Sequence, residues 1–228
     1  MVMRYLLACL LILLTAAPAA ADFAAAKKAQ ARGDFAAALA ACKADAAAGD
    51  ANCQNLVGYF YERGLGVARD PKKAIDLYRR AARQGLAAAQ NNLGHAYMIG
   101  AGVPKNAAKA AGWLKRAAAS GNPPAENNLG ILYAKGEGVP RNLKTAETLF
   151  HRAAVVGYPN AQLNLGLALQ RRNPVGAFEW FTIAARPASP APLRERAAAA
   201  ARRLAARIPS AELAAAKKRA EAWQPKKP

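Results

Sequence analysis

The stretch AAAQNNLGHAYMIGAGVPKNAAKAAGWLKRAAASG, residues 87–121, decides the fold. Ala89, Leu93 and Tyr97 stand at i, i+4 and i+8, one stripe of a helix. Gly100 and Gly102 then end that helix, because glycine tolerates the left-handed conformation a C-cap requires. Asn106 stands where an N-cap opens a second helix, with a side chain able to accept a backbone N–H. Ala110, Trp113 and Ala117 give this second helix its own apolar stripe. The stretch predicts an antiparallel pair, helix A and helix B.

Working outward, the same pattern recurs every 36 residues. Val57-Gly58, Leu93-Gly94, Leu129-Gly130 and Leu165-Gly166 share one register, as do Tyr61, Tyr97, Tyr133 and Leu169. The loops Gly64-x-Gly66-Val67, Gly100-x-Gly102-Val103 and Gly136-x-Gly138-Val139 follow the same step, and Gly49, Gly85, Gly121 and Gly157 close the units. Asp34, Asp70 and Asn142 are the other expected helix-B caps. The repeat predicts five units, 23–49, 51–85, 87–121, 123–157 and 159–185, within a solenoid spanning 22–185. The last unit is shorter by five residues between its helices, with Asn173-Pro174 restoring the cap. The first is abbreviated at Gly33-Asp34. Atypical ends suit a stack whose terminal units have one neighbour. Beyond the proline-rich break at 187–192, two helices near 193–207 and 210–222 are expected to cap the array, followed by a frayed tail from Gln224. The alanine-rich, aromatic-poor composition agrees with closely packed helices throughout.

The pattern Ala-x-Ala-Gln-x-Asn-Leu-Gly-x-x-Tyr-x-x-Gly-x-Gly-Val, then Lys-Ala, then Ala-Ala-x-x-Gly, resembles the Sel1-like repeat, a relative of the tetratricopeptide repeat. It is almost complete in 87–121 and 123–157, good in 51–85, interrupted in 159–185 and partial in 23–49. The resemblance implies an all-α, right-handed α-solenoid and a protein-binding adaptor that holds a protein or peptide partner on its concave surface; a monomer without cofactor is expected. One branch of the family carries a cysteine pair in unit after unit, and penicillin binding has been attributed to it. Here a single pair with different spacing remains, so that activity is not carried over.

The first 21 residues read as an export signal. Arg4 supplies the positive start, residues 5–14 an apolar run, and Ala19-Ala20-Ala21 a small-x-small cleavage site, giving a mature start near Asp22 and a periplasmic or secreted location. An uncleaved anchor is the alternative, although ten apolar residues fall short of a span of roughly 20. Cys9 precedes most of the apolar run, which argues against lipid attachment. Two cysteines then remain, Cys42 on helix B of the first unit and Cys53 on helix A of the second, facing each other across one turn. They read as a disulfide that pins the first unit, or as two small buried thiols.

Catalytic chemistry finds little in this chain. Its two histidines, His95 and His151, lie in different units, no His/Cys/Asp/Glu spacing suggests a metal, and no nucleophile elbow occurs. A wall-modifying or β-lactam-processing enzyme is therefore the weak alternative, and the expectation is no enzyme. The better candidate is helix A. Asn91, His95 and Met98 form a stripe beside the core positions, with equivalents Asn55, Tyr59 and Glu62 before it, Asn127, Ile131 and Ala134 after it, and Asn92, Asn128 and Asn164 alongside. In the tetratricopeptide relatives this stripe lines the concave face. Its amides suit bonding to a peptide backbone, or else to neighbouring repeats. His95 is equally readable as an ordinary surface histidine.

The formal charge is +19, from 33 Lys+Arg against 14 Asp+Glu. Residues 186–228 hold 11 of the cations and three of the anions, whereas all six Asp lie within 22–76. Arg194, Arg202, Arg203, Arg207, Lys217, Lys218 and Arg219 make a basic C-terminal pole. It suits an anionic envelope surface, or is simply a solvated face. Nucleic acid fits the charge but not the export signal.

Overall fold

The computed structural model describes residues 19–226, with side chains from Asp22. The expected leader elements at Arg4, 5–14 and Cys9 lie outside the described residues. Among those described, the chain forms twelve helices and no strand: α1 (Ala19–Ala31), α2 (Phe35–Ala48), α3 (Ala51–Arg63), α4 (Pro71–Arg83), α5 (Ala87–Ile99), α6 (Ala107–Ala119), α7 (Pro123–Lys135), α8 (Leu143–Val155), α9 (Pro159–Leu169), α10 (Pro174–Ala184), α11 (Ala191–Ala205) and α12 (Ser210–Ala222). The first cap helix starts two residues earlier than the sequence suggests, because Pro190 and Pro192 serve its first turn.

Local chemistry sets the helix ends. The side chains of Asp34, Asp70, Asn106, Asn142 and Asn173 each accept a backbone N–H three residues on, opening α2, α4, α6, α8 and α10. Asp50 and Asn122 do the same for α3 and α7. Gly64, Gly100 and Gly136 end α3, α5 and α7 in the left-handed conformation, at φ +70° to +80°. The second glycine of each loop has a different task from the capping role its sequence suggests. A Cβ on Gly66 would stand 2.7 Å from the Phe35 carbonyl carbon, and one on Gly102 2.4 Å from the Pro71 oxygen. Each second glycine thus lets its loop press onto the first turn of the preceding unit's helix B.

Successive helices pack as hairpins, α1 with α2 through α9 with α10, and each hairpin packs on the next. Within a unit the helices approach at a glycine. Cβ atoms on Gly130 and Gly166 would meet Phe150 Cε1 at 2.6 Å and Phe181 Cε1 at 2.5 Å. The apolar core is a chain of clusters shared between neighbouring units, as a quasi-one-dimensional stack requires. Alternate helices α5, α7 and α9 also touch one another, whereas no comparable contact joins α4 to α6 or α6 to α8. The A helices therefore occupy the inner side of the curve.

Both ends are fastened. Cys42 is bonded to Cys53, with Cα atoms 5.1 Å apart, tying α2 to α3. At the other end α11 and α12 each pack on α10. The expected fraying from Gln224 is not what the structure shows, at least to Lys226. Trp223 meets Trp180 edge-on at 6.0 Å, and Arg186 stacks on its indole and donates to its carbonyl. The Lys226 N–H then donates to the Val155 carbonyl at 2.8 Å. An aromatic anchor and a buried-side guanidinium hold a segment whose composition alone suggests a loose end.

Candidate functional site

Two rows of polar side chains run along the A helices. The first is buried and structural. Gln54, Gln90 and Gln162 each donate from Nε2, at 3.2 Å, to the carbonyl of Ala46, Ala82 and Ala154 in the last turn of the preceding helix B. Glu126 occupies the same position in α7 and is 3 % exposed. An ionised carboxylate has no proton to donate. Arg152 supplies one, its Nη2 lying 2.6 Å from Glu126 Oε1 and donating to the Ala118 carbonyl at 3.3 Å. Burial raises the Glu126 pKa above the usual carboxylate value, with Arg152 opposing it.

The second row faces the inner curve. Asn164 donates to Asn127 (2.8 Å), Asn127 to Asn128 (3.5 Å), Asn128 to Asn91 (3.0 Å), Asn91 to Asn92 (3.4 Å) and Asn92 to Asn55 (2.9 Å). Six amides from α9, α7, α5 and α3 thus join in one directed chain. Each inter-unit step stitches adjacent repeats, and every amide keeps at least one N–H beyond the chain, Asn55 at its end keeping two. The asparagines are accordingly bonded to one another first.

This chain floors a groove of about 550 Å³. Tyr59, Asn91, His95, Asn127 and Asn128 line it, and Asn55 joins through its bond from Asn92. Met98 does not. It turns away to pack against the apolar cluster of α6 and α7, because three residues beyond His95 the helix has rotated its side chain toward the core. The walls add Glu62 and Ile131, the repeat equivalents of Met98 and His95, and four residues outside the sequence-derived stripe: Arg63, Tyr158, Asn160 and Arg196. Repeat spacing puts Glu62 and Ile131 on the stripe and Arg63 beside it. Arg196 comes from cap helix α11, outside any period. Glu62 accepts from the Tyr78 hydroxyl at 2.7 Å, and burial, then this carboxylate, push that hydroxyl's pKa far above the ordinary tyrosine value.

The basic pole is less concentrated than its sequence suggests. Arg219 is bound to Glu179, which raises its pKa further, and Arg194 donates to the Pro187 carbonyl. Arg202 and Arg203 on α11, Arg207 in the turn after it, and Lys217 and Lys218 on α12 are exposed, and the two helices lean on α10 rather than on each other.

Stacked helical hairpins with an inner polar groove define an α-solenoid of the helical-repeat class. The Sel1 repeat model matches residues 51–86, 87–122, 123–154 and 159–186, and the chain belongs to that family. Among solved structures it is similar to a Sel1 repeat protein from Oxalobacter formigenes, with 32 % identity and a TM-score of 0.60 over 70 % of this chain and 68 % of that one. A protective antigen of uropathogenic Escherichia coli with the same type of fold shares 26 % identity, with a TM-score of 0.54 over 83 % of this chain and 49 % of its own. An immunity protein from Pseudomonas aeruginosa, 20 % identical, has a TM-score of 0.53 over 82 % of this chain and 81 % of its own, a likeness of fold. No curated protein sequence matches the chain. Sel1 repeat proteins are in general protein-interaction scaffolds rather than enzymes.

Proposed function

We propose that the chain is an exported scaffold that holds an extended segment of a partner protein along the inner groove of its A helices. The supporting observation is the asparagine chain: a floor of amides with at least one unspent N–H each, walled by Tyr59, Arg63, His95, Ile131, Tyr158 and Arg196. Such a floor bonds main chain and leaves selectivity to the walls. The Cys42–Cys53 bond agrees with an oxidising compartment, periplasmic or extracellular. Among the described residues no helix is long and apolar enough to cross a membrane.

The test is site-specific photo-crosslinking in the native host. A benzophenone side chain at Tyr59, His95 or Ile131 is expected to capture one discrete partner, while the same group at Gly112 on the outer face captures none. Equal labelling from both faces, or none from the groove, overturns the reading. The exposed Arg202, Arg203 and Arg207 support a second reading, contact with an anionic envelope surface. It predicts salt-sensitive binding to anionic vesicles that falls when these three are neutralised.

A further inference from the structure

The shortened fifth unit leaves something uncovered. In units two to four the loop after helix A covers the first turn of the preceding helix B, with Gly66 on Phe35, Gly102 on Pro71 and Gly138 on Ala107. Val67, Val103 and Val139 from the same loops pack onto the adjoining apolar clusters. The equivalent of Phe35, Pro71 and Ala107 in the fourth unit is Leu143, and the loop that should cover it is the one missing between Arg171 and Asn173. Leu143 is 56 % exposed and Leu167 opposite it 40 %. Between α7, α8 and α9 lies a cleft of about 490 Å³, its apolar wall formed by Leu143, Ala146, Phe150, Leu167 and Ala168. Its rim carries Lys135, Arg171 and Arg172; Arg172 is paired with Glu147 and Lys135 lies 3.8 Å from Glu137, which leaves one cation in excess.

We propose that this cleft docks an aliphatic side chain, valine- to leucine-sized, presented by a partner protein on a tight turn flanked by acidic residues. The chain supplies its own template, since a Gly-x-Gly-Val turn fills the corresponding place in three other units. The cationic rim selects the acidic flank, and removal of Leu143 and Leu167 from water supplies the favourable term. The cleft adjoins the asparagine groove at Ile131 and Asn164, yet its occupancy does not depend on the groove being used.

The test titrates the capped peptide DEGVPE, to about 5 mM, into the isotope-labelled full chain and follows amide shifts; affinities near millimolar are expected for a single buried side chain. Saturable shifts should appear at Leu143, Leu167 and Ala168, vanish with the peptide DEGSPE, and weaken at least about tenfold in Leu167→Glu, an exposed position that leaves the fold intact. Inserting Gly-Glu-Gly-Val-Pro between Arg171 and Arg172 restores the missing loop and should abolish binding. Shifts that survive the insertion, that fall at Asn91 and Asn127 instead, or that never appear overturn the proposal. Groove variants such as His95→Ala leave this titration unchanged, which separates its failure from failure of the scaffold reading.

Discussion

At the scale of single residues, the buried polar row shows how one atom's chemistry recruits another residue. Where glutamine gives a proton to the carbonyl one hairpin back, Glu126 needs Arg152 to do so. Glu126→Gln should restore the direct bond and stabilise the protein at pH 7 by about 1 kcal/mol, the net value of a neutral hydrogen bond. The sign with pH follows from the raised pKa of Glu126 in the fold. The folded chain holds that proton more tightly than the unfolded one, so the cost of ionisation is full above the folded pKa. It disappears as pH falls toward the ordinary glutamate value of about 4.3. The stability gap between variant and native chain should close over that window in denaturant titrations. Arg152→Ala should cost about 1–3 kcal/mol by leaving the buried Glu126 carboxylate without a donor, and Glu126→Gln on the same chain should recover most of it. Gly130→Ala belongs to the same scale. Its new methyl meets the Phe150 ring, and a melting curve should register about 1–3 kcal/mol of overpacking.

At the scale of elements, the hairpins were legible because their determinants are local and periodic. Glycines at the ends of α3, α5 and α7 and side-chain caps such as Asp70 and Asn106 sit in the sequence at fixed offsets. What was illegible has no period. The dual role of Gly66, Gly102 and Gly138 depends on a turn belonging to the preceding unit. Arg196 reaches the groove only because α11 docks where it does, and Met98 leaves it because of helix rotation that a three-residue spacing obscures. The pairing among Asn55, Asn91, Asn92, Asn127, Asn128 and Asn164 could be anticipated as a choice between partner and neighbour, and geometry resolves it toward the neighbour. The C-terminal strap is the clearest case. Trp223 is one aromatic in a tail of lysine and proline, and its target, Trp180, lies in another helix. Deleting residues 223–228 should destabilise α10 and α12 by about 2 kcal/mol, the combined scale of an aromatic pair, a cation–π contact and a hydrogen bond. Loss of near-ultraviolet dichroism in milder denaturant would register it.

At the scale of the whole molecule, each unit borrows stability from its neighbours, so the array behaves as a sum of units and interfaces. The first hairpin contributes least, because α1 and α2 are alanine-rich and their apolar cluster leans on α3. The Cys42–Cys53 bond offsets this. Reduction should remove up to about 3 kcal/mol from that end, and proteolysis after reduction should cut within residues 22–48 before any other segment.

A row of stacked hairpins ordinarily comes apart like a zip, from whichever tip is loose. This one is clipped covalently at one tip and strapped by an indole at the other. Its amide-exchange profile should accordingly be flat from α2 to α10, with no slope toward the extremities. Thiol reductant should then tilt it at a single extremity, turning a uniformly guarded rod into one that opens progressively from its first pair.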